Sequence, residues 1–205
     1  MHRENKLDMA PIRASHWSID EVFTTSRGSK IAKLRDGEGH CVYMPGTHLK
    51  IPFVPSTFDK NESATRVNLT LECDEATANE IRTFDAWALD YLSKNSMRLF
   101  KRHMTREQVE SSYCSCLREG QRTLLKTKID MSGHSRIRCW NNDWEPEMPP
   151  PDWRKFRVKP LLEFSHLWIM GSQFGFVIKV PDVALEAAED EVARPPVCPF
   201  KPPEA

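Results

Sequence analysis

Residues 156–183, FRVKPLLEFSHLWIMGSQFGFVIKVPDV, constrain the fold more than any other stretch of this chain. Val158, Leu162, Phe164 and Trp168 share one parity before Gly171-Ser172-Gln173, and Phe174, Phe176, Ile178 and Val180 share one after it. Successive side chains of a strand point to opposite faces, so this alternation predicts a long antiparallel hairpin with one face buried. Gly171 suits the connection and Gly175 a bend or bulge. Pro160 and Pro181 are expected near the outer ends, where a missing backbone donor harms the ladder least. His166 shares the parity of Phe164 and Trp168, which makes it a core or interface histidine.

The rest of the chain supplies strands and one helical insertion. Asp36-Gly37-Glu38-Gly39 reads as a hairpin turn between residues 31–34 and 40–44. Val67, Leu69 and Leu71 alternate with polar residues in a strand that runs into Asp74. Asp74 offers a short polar side chain as N-cap, with Glu75 and Glu80 where the helix dipole favours acids. Ile81, Phe84, Leu89 and Leu92, with Trp87 or Ala88 between, form one apolar helical face that fades at residues 93–96. Thr105 with Gln108 three residues on is a capping box that opens a second helix to Ser112. Strands are expected at 123–131 and 135–140, followed by a proline-rich loop at 143–152. Five to seven strands interrupted by one helical segment (about 74–118) predict a mainly β chain, a small and partly open β-barrel with a long C-terminal hairpin. The expected organisation is a flexible segment 1–15, a single domain 16–183, and an acidic, proline-rich tail 184–205.

With 29 basic and 29 acidic residues, net charge points to no class of partner, but the charges are segregated. Six cysteines without a signal-like amino-terminal stretch suggest free thiols in a reduced, intracellular compartment, nucleus or cytoplasm. Nothing approaches the ~18 consecutive apolar residues of a membrane-spanning helix.

The basic-aromatic region carries the most suggestive chemistry. Lys126 and Lys128 share a parity on one expected strand, and Arg136 and Arg138 on the next, so one hairpin face could present all four. Arg154, Lys155, Arg157 and Lys159 form a second cluster, and Trp140, Trp144, Trp153 and Trp168 lie near both in sequence. A basic groove that tracks phosphates, with rings on which bases stack, is how single strands are held without reading sequence. The plainer alternative makes the charges solvated strand faces and the tryptophans core. Cys114-x-Cys116 with His134, Cys139 and Cys198 lacks the C-x2-4-C spacing of a zinc site, so no metal is expected. No glycine-rich phosphate loop or nucleophile-base set is recognisable, and no catalysis or cofactor is expected.

The element order resembles the oligonucleotide-binding (OB) fold, and specifically the single-stranded DNA-binding proteins of podophages. The matching pieces are Val67-Asn68-Leu69-Thr70-Leu71 before Asp74, then residues 123–131, then 159–183. The block Leu167-Trp168-Ile169-Met170 … Phe174-Gly175 also resembles small proteins of large eukaryotic DNA viruses. The resemblance implies a non-enzymatic, sequence-tolerant single-stranded DNA-binding protein of DNA replication, recombination or repair, with RNA as the alternative ligand. It further implies replication proteins as partners of the tail, and a homodimer is a further expectation. The tail departs from the family pattern, since Phe200 is followed by Lys201-Pro202-Pro203-Glu204-Ala205. A protein-interaction module on the same barrel is the competing expectation. Asp182, Glu186, Glu189, Asp190 and Glu191 would make the tail an intramolecular competitor for the basic groove, against the plainer expectation of a short solvated helix over 184–191 that merely ends the domain.

Overall fold

The computed structural model describes residues 16–26, 28–57 and 65–187. The segment 1–15 and residues 188–205 lie outside them. Short strands come first: β1 (Ser18–Ile19), β2 (Phe23–Thr24), β3 (Lys30–Arg35), β4 (Val42–Pro45), β5 (Leu49–Lys50) and β6 (Arg66–Glu72). Helices α1 (Glu75–Lys94), α2 (Ser96–Phe100) and α3 (Arg106–Ser112) follow. The chain returns to strands in β7 (Tyr113–Cys114), β8 (Leu117–Arg118), β9 (Leu124–Asp130), β10 (Arg138–Trp140) and β11 (Pro146–Glu147). A 3-10 turn at Trp153–Lys155 leads into the two long strands, β12 (Phe156–Met170) and β13 (Gln173–Ala187).

All strands belong to one sheet, mainly β with a helical insertion, as the sequence pattern predicts. The pairings run β12 to β5 to β6 to β9 to β13 and back to β12. The sheet is therefore partly closed, with seams of a single residue pair at Lys50–Glu72 and at Lys128–Lys179. The hairpin reaches Ala187, so residues 184–187 are strand and the tail boundary expected at 183 is too early. Pro160 is consequently inside the ladder rather than near its end, paired with Val183, and its carbonyl accepts from Gly46 N–H. The turn at residues 36–39 forms, with Asp36 Oδ1 accepting from Glu38 and His40, but it joins no hairpin. β3, β4 and β5 instead lie one after another along β12.

Alternation fixes the core. Val158, Leu162 and Phe164 of β12 face Phe174, Phe176, Ile178 and Val180 of β13, all buried. Two bulges interrupt the register, between Leu161 and Glu163 and between Phe164 and His166. Each adds one residue to one strand and so turns the following side chains to the other face. Beyond the second bulge Leu167 points inward in place of Trp168, which corrects the single parity read from the sequence; Pro181 sits at the first. Asp74 caps α1 through Thr77 N–H at 2.8 Å, and Thr105 and Gln108 form the capping box of α3. The buried face of α1 is Ala78, Ile81, Phe84, Ala88 and Leu92. Phe84 plugs the sheet, its ring centroid 4.3 Å from that of Phe164 and 4.9 Å from that of Phe176.

Gly175 is where β13 passes closest to another backbone. A Cβ there would meet the Cys114 carbonyl oxygen and approach Trp168 Cζ2 to 3.2 Å. Gly175→Ala is therefore expected to push β7 off β13 and destabilise the protein by ~1–3 kcal/mol. A denaturant midpoint equal to wild type would show that the close approach is not needed.

Candidate nucleic-acid interface

The outward side chains of the β12–β13 ladder form a file of pairs from tip to base. Trp168 lies beside Gly175, His166 beside Val177, Glu163 beside Lys179, Leu161 beside Asp182, Lys159 beside Ala184, and Arg157 beside Glu186. Neighbouring strands widen this file. β9 places Lys128 beside Lys179, β6 places Asn68 beside Lys128, and β10 places Arg138 beside Asp182 and Trp140 beside Ala184. On the far side β3 sets Lys33 beside His166, and β5 sets Lys50 beside Arg157. Eleven steps from Gly175 to Glu186 span roughly 36 Å at strand rise.

Three hollows follow one another along β13. The first, about 430 Å³, is lined by Trp168, Lys126, Lys128, Asn68, Thr70 and residues 114–116. The second, about 280 Å³, shares Lys128 with it and adds Lys179, His134, Arg136 and Arg138, with Asp130 and Glu163 also in its lining. The third, about 530 Å³, is walled by Pro45, Trp140, Trp144, Pro160 and Leu161, with Lys159 at its edge.

The electrostatics of the first two hollows favour an anion. Lys128 is half-buried, and burial, Arg66 and Lys126 all push its ammonium below the ordinary lysine range, with no carboxylate among the described residues acting on it. Arg66 binds Asp130 at 2.6 Å, and Lys179 reaches the same carboxylate at 3.6 Å. Asp182 organises the next step of the surface, accepting from Arg138 at 2.6 Å and from Trp140 Nε1 at 3.0 Å. Under the first hollow, Asp85 of α1 accepts from Tyr113 Oη and Ser115 Oγ, 2.6 Å from the latter. Burial raises its pKa, and the two hydroxyl bonds pull it down. The network ties residues 113–116 to the helix.

Lys126, Lys128, Arg136 and Arg138 all stand outward, although β9 and β10 do not pair with each other. β13 lies between them, so the four cations flank a third strand rather than share a hairpin. Trp168 lines the first hollow, and Trp140 and Trp144 line the third. Trp153 does not take part: it is 3% exposed and packed in the core, because the Asp152-capped 3-10 turn directs it inward. Arg154 folds back onto Asp152 at 2.9 Å, and Lys155 faces a separate hollow beside Pro149–Pro151. Arg157 and Lys159 lie on the outward file, Lys159 paired with Glu186 at 2.9 Å. Sequence reasoning missed Lys179 and Lys50. Lys179 was detectable, since it alternates outward between Ile178 and Val180. Lys50 had no local signal, because its place depends on β5 pairing with β12 across a hundred residues.

The described cysteines are free thiols, and burial pushes Cys73 and Cys116 up to about 12 and Cys139 to about 11. Among the described residues no three His, Cys, Asp or Glu side chains are grouped to hold a metal ion, and no helix is long and apolar enough to cross a membrane.

No protein-family model matches the chain, and no curated protein sequence does. Among solved structures it is similar to the single-stranded DNA-binding protein from bacteriophage Enc34, at 10% identity and a TM-score of 0.49, over 88% of this chain and 96% of that one. The same phage protein in complex with ssDNA gives 9% identity and a TM-score of 0.49, over 83% and 96%. It is also similar to gp2.5, a single-stranded DNA-binding protein encoded by bacteriophage T7, at 12% identity and a TM-score of 0.47, over 73% and 88%. What the surface can bind is read from its own side chains.

His166 stands on this surface with its Nδ1 3.0 Å from Ser165 Oγ, and burial, then Lys179 and Arg66, lower its pKa to about 4. Its unfolded value is ~6.5, so the unfolded chain binds the extra proton between the two. Stability is therefore complete above about pH 6.5 and is lost as pH falls toward 4. Replacing His166 by Gln is expected to flatten the fall of the urea midpoint over that window. Parallel curves for the two proteins would remove His166 as the cause.

Proposed function

We propose that this chain binds single-stranded nucleic acid, DNA in the first instance, without reading its sequence, and serves in replication, recombination or repair as a non-enzymatic protein. The observation that carries this reading is the outward file of the β12–β13 hairpin. It sets Lys126, Lys128, Lys179, Arg136 and Arg138 together between Trp168 at one end and Trp140 and Trp144 at the other. A track of ~36 Å accommodates about ten nucleotides at a stacked spacing of ~3.4 Å, within the range of one OB-type site. The cations meet phosphates, and the rings offer apolar faces to bases of any identity. Lys126 and Lys128 lie beside polar Thr70 and Asn68 rather than beside acids, so a phosphate would relieve like-charge repulsion that the protein alone leaves in place.

Titration of labelled oligo-dT and of duplex at two salt concentrations tests the reading. Oligo-dT is expected to bind more tightly and to weaken steeply with salt. Replacing Lys126, Lys128, Arg136 and Arg138 together by Ala should reduce the slope of log K against log salt by up to about 3, since each single-strand phosphate contact contributes ~0.7. Folding should hold: Lys126, Arg136 and Arg138 are exposed, where a charge contributes only ~0–1 kcal/mol, and the half-buried Lys128 ammonium is disfavoured where it stands. Unchanged affinity and slope in this variant would favour an apolar protein contact as the use of this face.

The segment beyond Ala187 is the second part of the proposal. Asp182 and Glu186 are strand residues already paired with Arg138 and with Lys159 and His48, so only Glu189, Asp190, Glu191 and Glu204 are left to it. We expect those carboxylates to compete weakly for the cationic track from a short tether. Deleting residues 188–205, which spares both long strands, should tighten oligonucleotide binding at low salt and change nothing once salt screens both interactions. Equal affinity at low salt would leave the segment without this role.

A further inference from the structure

We infer that the hollow between Trp140 and Trp144 takes one unstacked nucleobase from the bound strand, and that this pocket, not the cationic track, selects a single strand over a duplex. The inference rests on the binding reading above and adds to it the element that discriminates.

The hollow differs in kind from its two neighbours. Its walls include Pro45, Trp140, Trp144, Pro160 and Leu161, apolar faces suited to a flat ring, with Lys159 and Asp182 as its charged groups. At about 530 Å³ it is within the size range of small-ligand pockets. The Trp140 ring and the Trp144 backbone are set before any ligand arrives. Trp140 is fixed through its Nε1–H bond of 3.0 Å to Asp182. Trp144 is 69% exposed and holds φ at +62°, a region that a bulky side chain rarely adopts. The loop enforces that conformation. Asn141 Oδ1 accepts from the backbone of Asp143 and Glu145 at 2.9 Å each, and Asn141 O accepts from Trp144 N–H at 3.0 Å. The positive φ closes the turn between β10 and β11, and it leaves the indole exposed on the wall of the hollow.

Charge on both sides says what the occupant is. Arg138, held by Asp182, and Lys179 lie toward the hairpin tip, and Lys159, held by Glu186, lies with Arg157 and the facing Lys50 toward its base. A polymer whose anionic groups precede and follow a flat apolar group fits this order: phosphate, base, phosphate. Ammonium and guanidinium groups alone would take any polyanion, duplex included. In a duplex both faces of each base are covered by stacking and its edge is paired, so no base can enter without the cost of extrusion. An unpaired base enters freely.

The test uses the full chain with Trp144→Gly, which accepts the positive φ, Trp144→Ala, and Trp144→Phe. Three probes of equal length are titrated at low and high salt: oligo-dT, an abasic deoxyribose-phosphate oligomer, and duplex. Removal of the ring is expected to weaken oligo-dT binding roughly 5- to 150-fold, the factor equivalent to stacking one base. Abasic and duplex binding should change less than twofold, the salt slope should not move, and Phe should restore most of the loss. An equal loss on all three probes, or none on oligo-dT, overturns the pocket while the binding reading stands. A change in oligomeric state by light scattering in the Gly and Ala variants also overturns it, by assigning the hollow to a second copy. Wild type that binds none of the probes overturns both.

Discussion

The antiparallel ladder between β12 and β13 decides where every other part of the molecule can go. Its two strands are fifteen residues each, and nearly every other strand either pairs with one of them or joins a strand that does. The inner face binds the helical insertion through Phe84, which inserts between Phe164 and Phe176. Burial of such rings, worth roughly 1.5–3 kcal/mol each, holds the curvature that lets the sheet close on itself through seams of one residue pair. Curvature in turn brings β9 to one side of β13 and β10 alongside it, so the outer surface is assembled by the core. Strands that the chain separates by many residues come together there only because they share β13.

How much of this was legible follows from the range of each interaction. The hairpin, the Asp74 cap and the Thr105 capping box depend on residues a few positions apart, and local alternation or spacing reveals them. The two bulges were not visible, because a bulge arises where inner-face packing and hydrogen-bond register disagree, and neither is written in one strand. Their consequence was the exchange of Trp168 for Leu167 in the core. The strand alternation of Lys126 with Lys128 was read correctly, but the second strand begins only at Arg138, so Arg136 precedes it, and the order that puts β13 between the two strands was not read. Trp153 shows the limit of composition: Asp152-Trp153-Arg154-Lys155 reads as a basic-aromatic patch, yet Asp152 both caps the turn and neutralises Arg154, and the ring left over is buried.

The distribution of ion pairs divides the surface into prepaid and open charge. Arg138, Lys159, Arg154 and Arg66 each hold a carboxylate, and their geometry is set by it. Such exposed pairs contribute little to stability, but they fix side chains that would otherwise lose rotamer freedom on binding. Lys126 and Lys128 are the opposite case, close to each other and to Arg66, with Lys128 partly desolvated. On the proposed reading, the fixed pairs define the track and the open charges supply its attraction.

The same logic explains why the helical insertion matters to a surface it does not reach. Residues 114–116 floor the first hollow, and the segment 113–116 is held by two bonds to one half-buried carboxylate, Asp85 on α1, and by Cys116, whose thiol donates to the Phe176 carbonyl at 3.0 Å. Gly175 leaves room for the Cys114 carbonyl to press against β13, and the Trp168 ring rests at the same point. A shift of α1 relative to the sheet would therefore move the floor of the hollow and the ring beside it together. The core does not merely support this surface; through Asp85 and Gly175 it sets the distance between the tryptophan and the lysines, and under the proposed function that distance would decide whether a base and its own phosphate can be held at once.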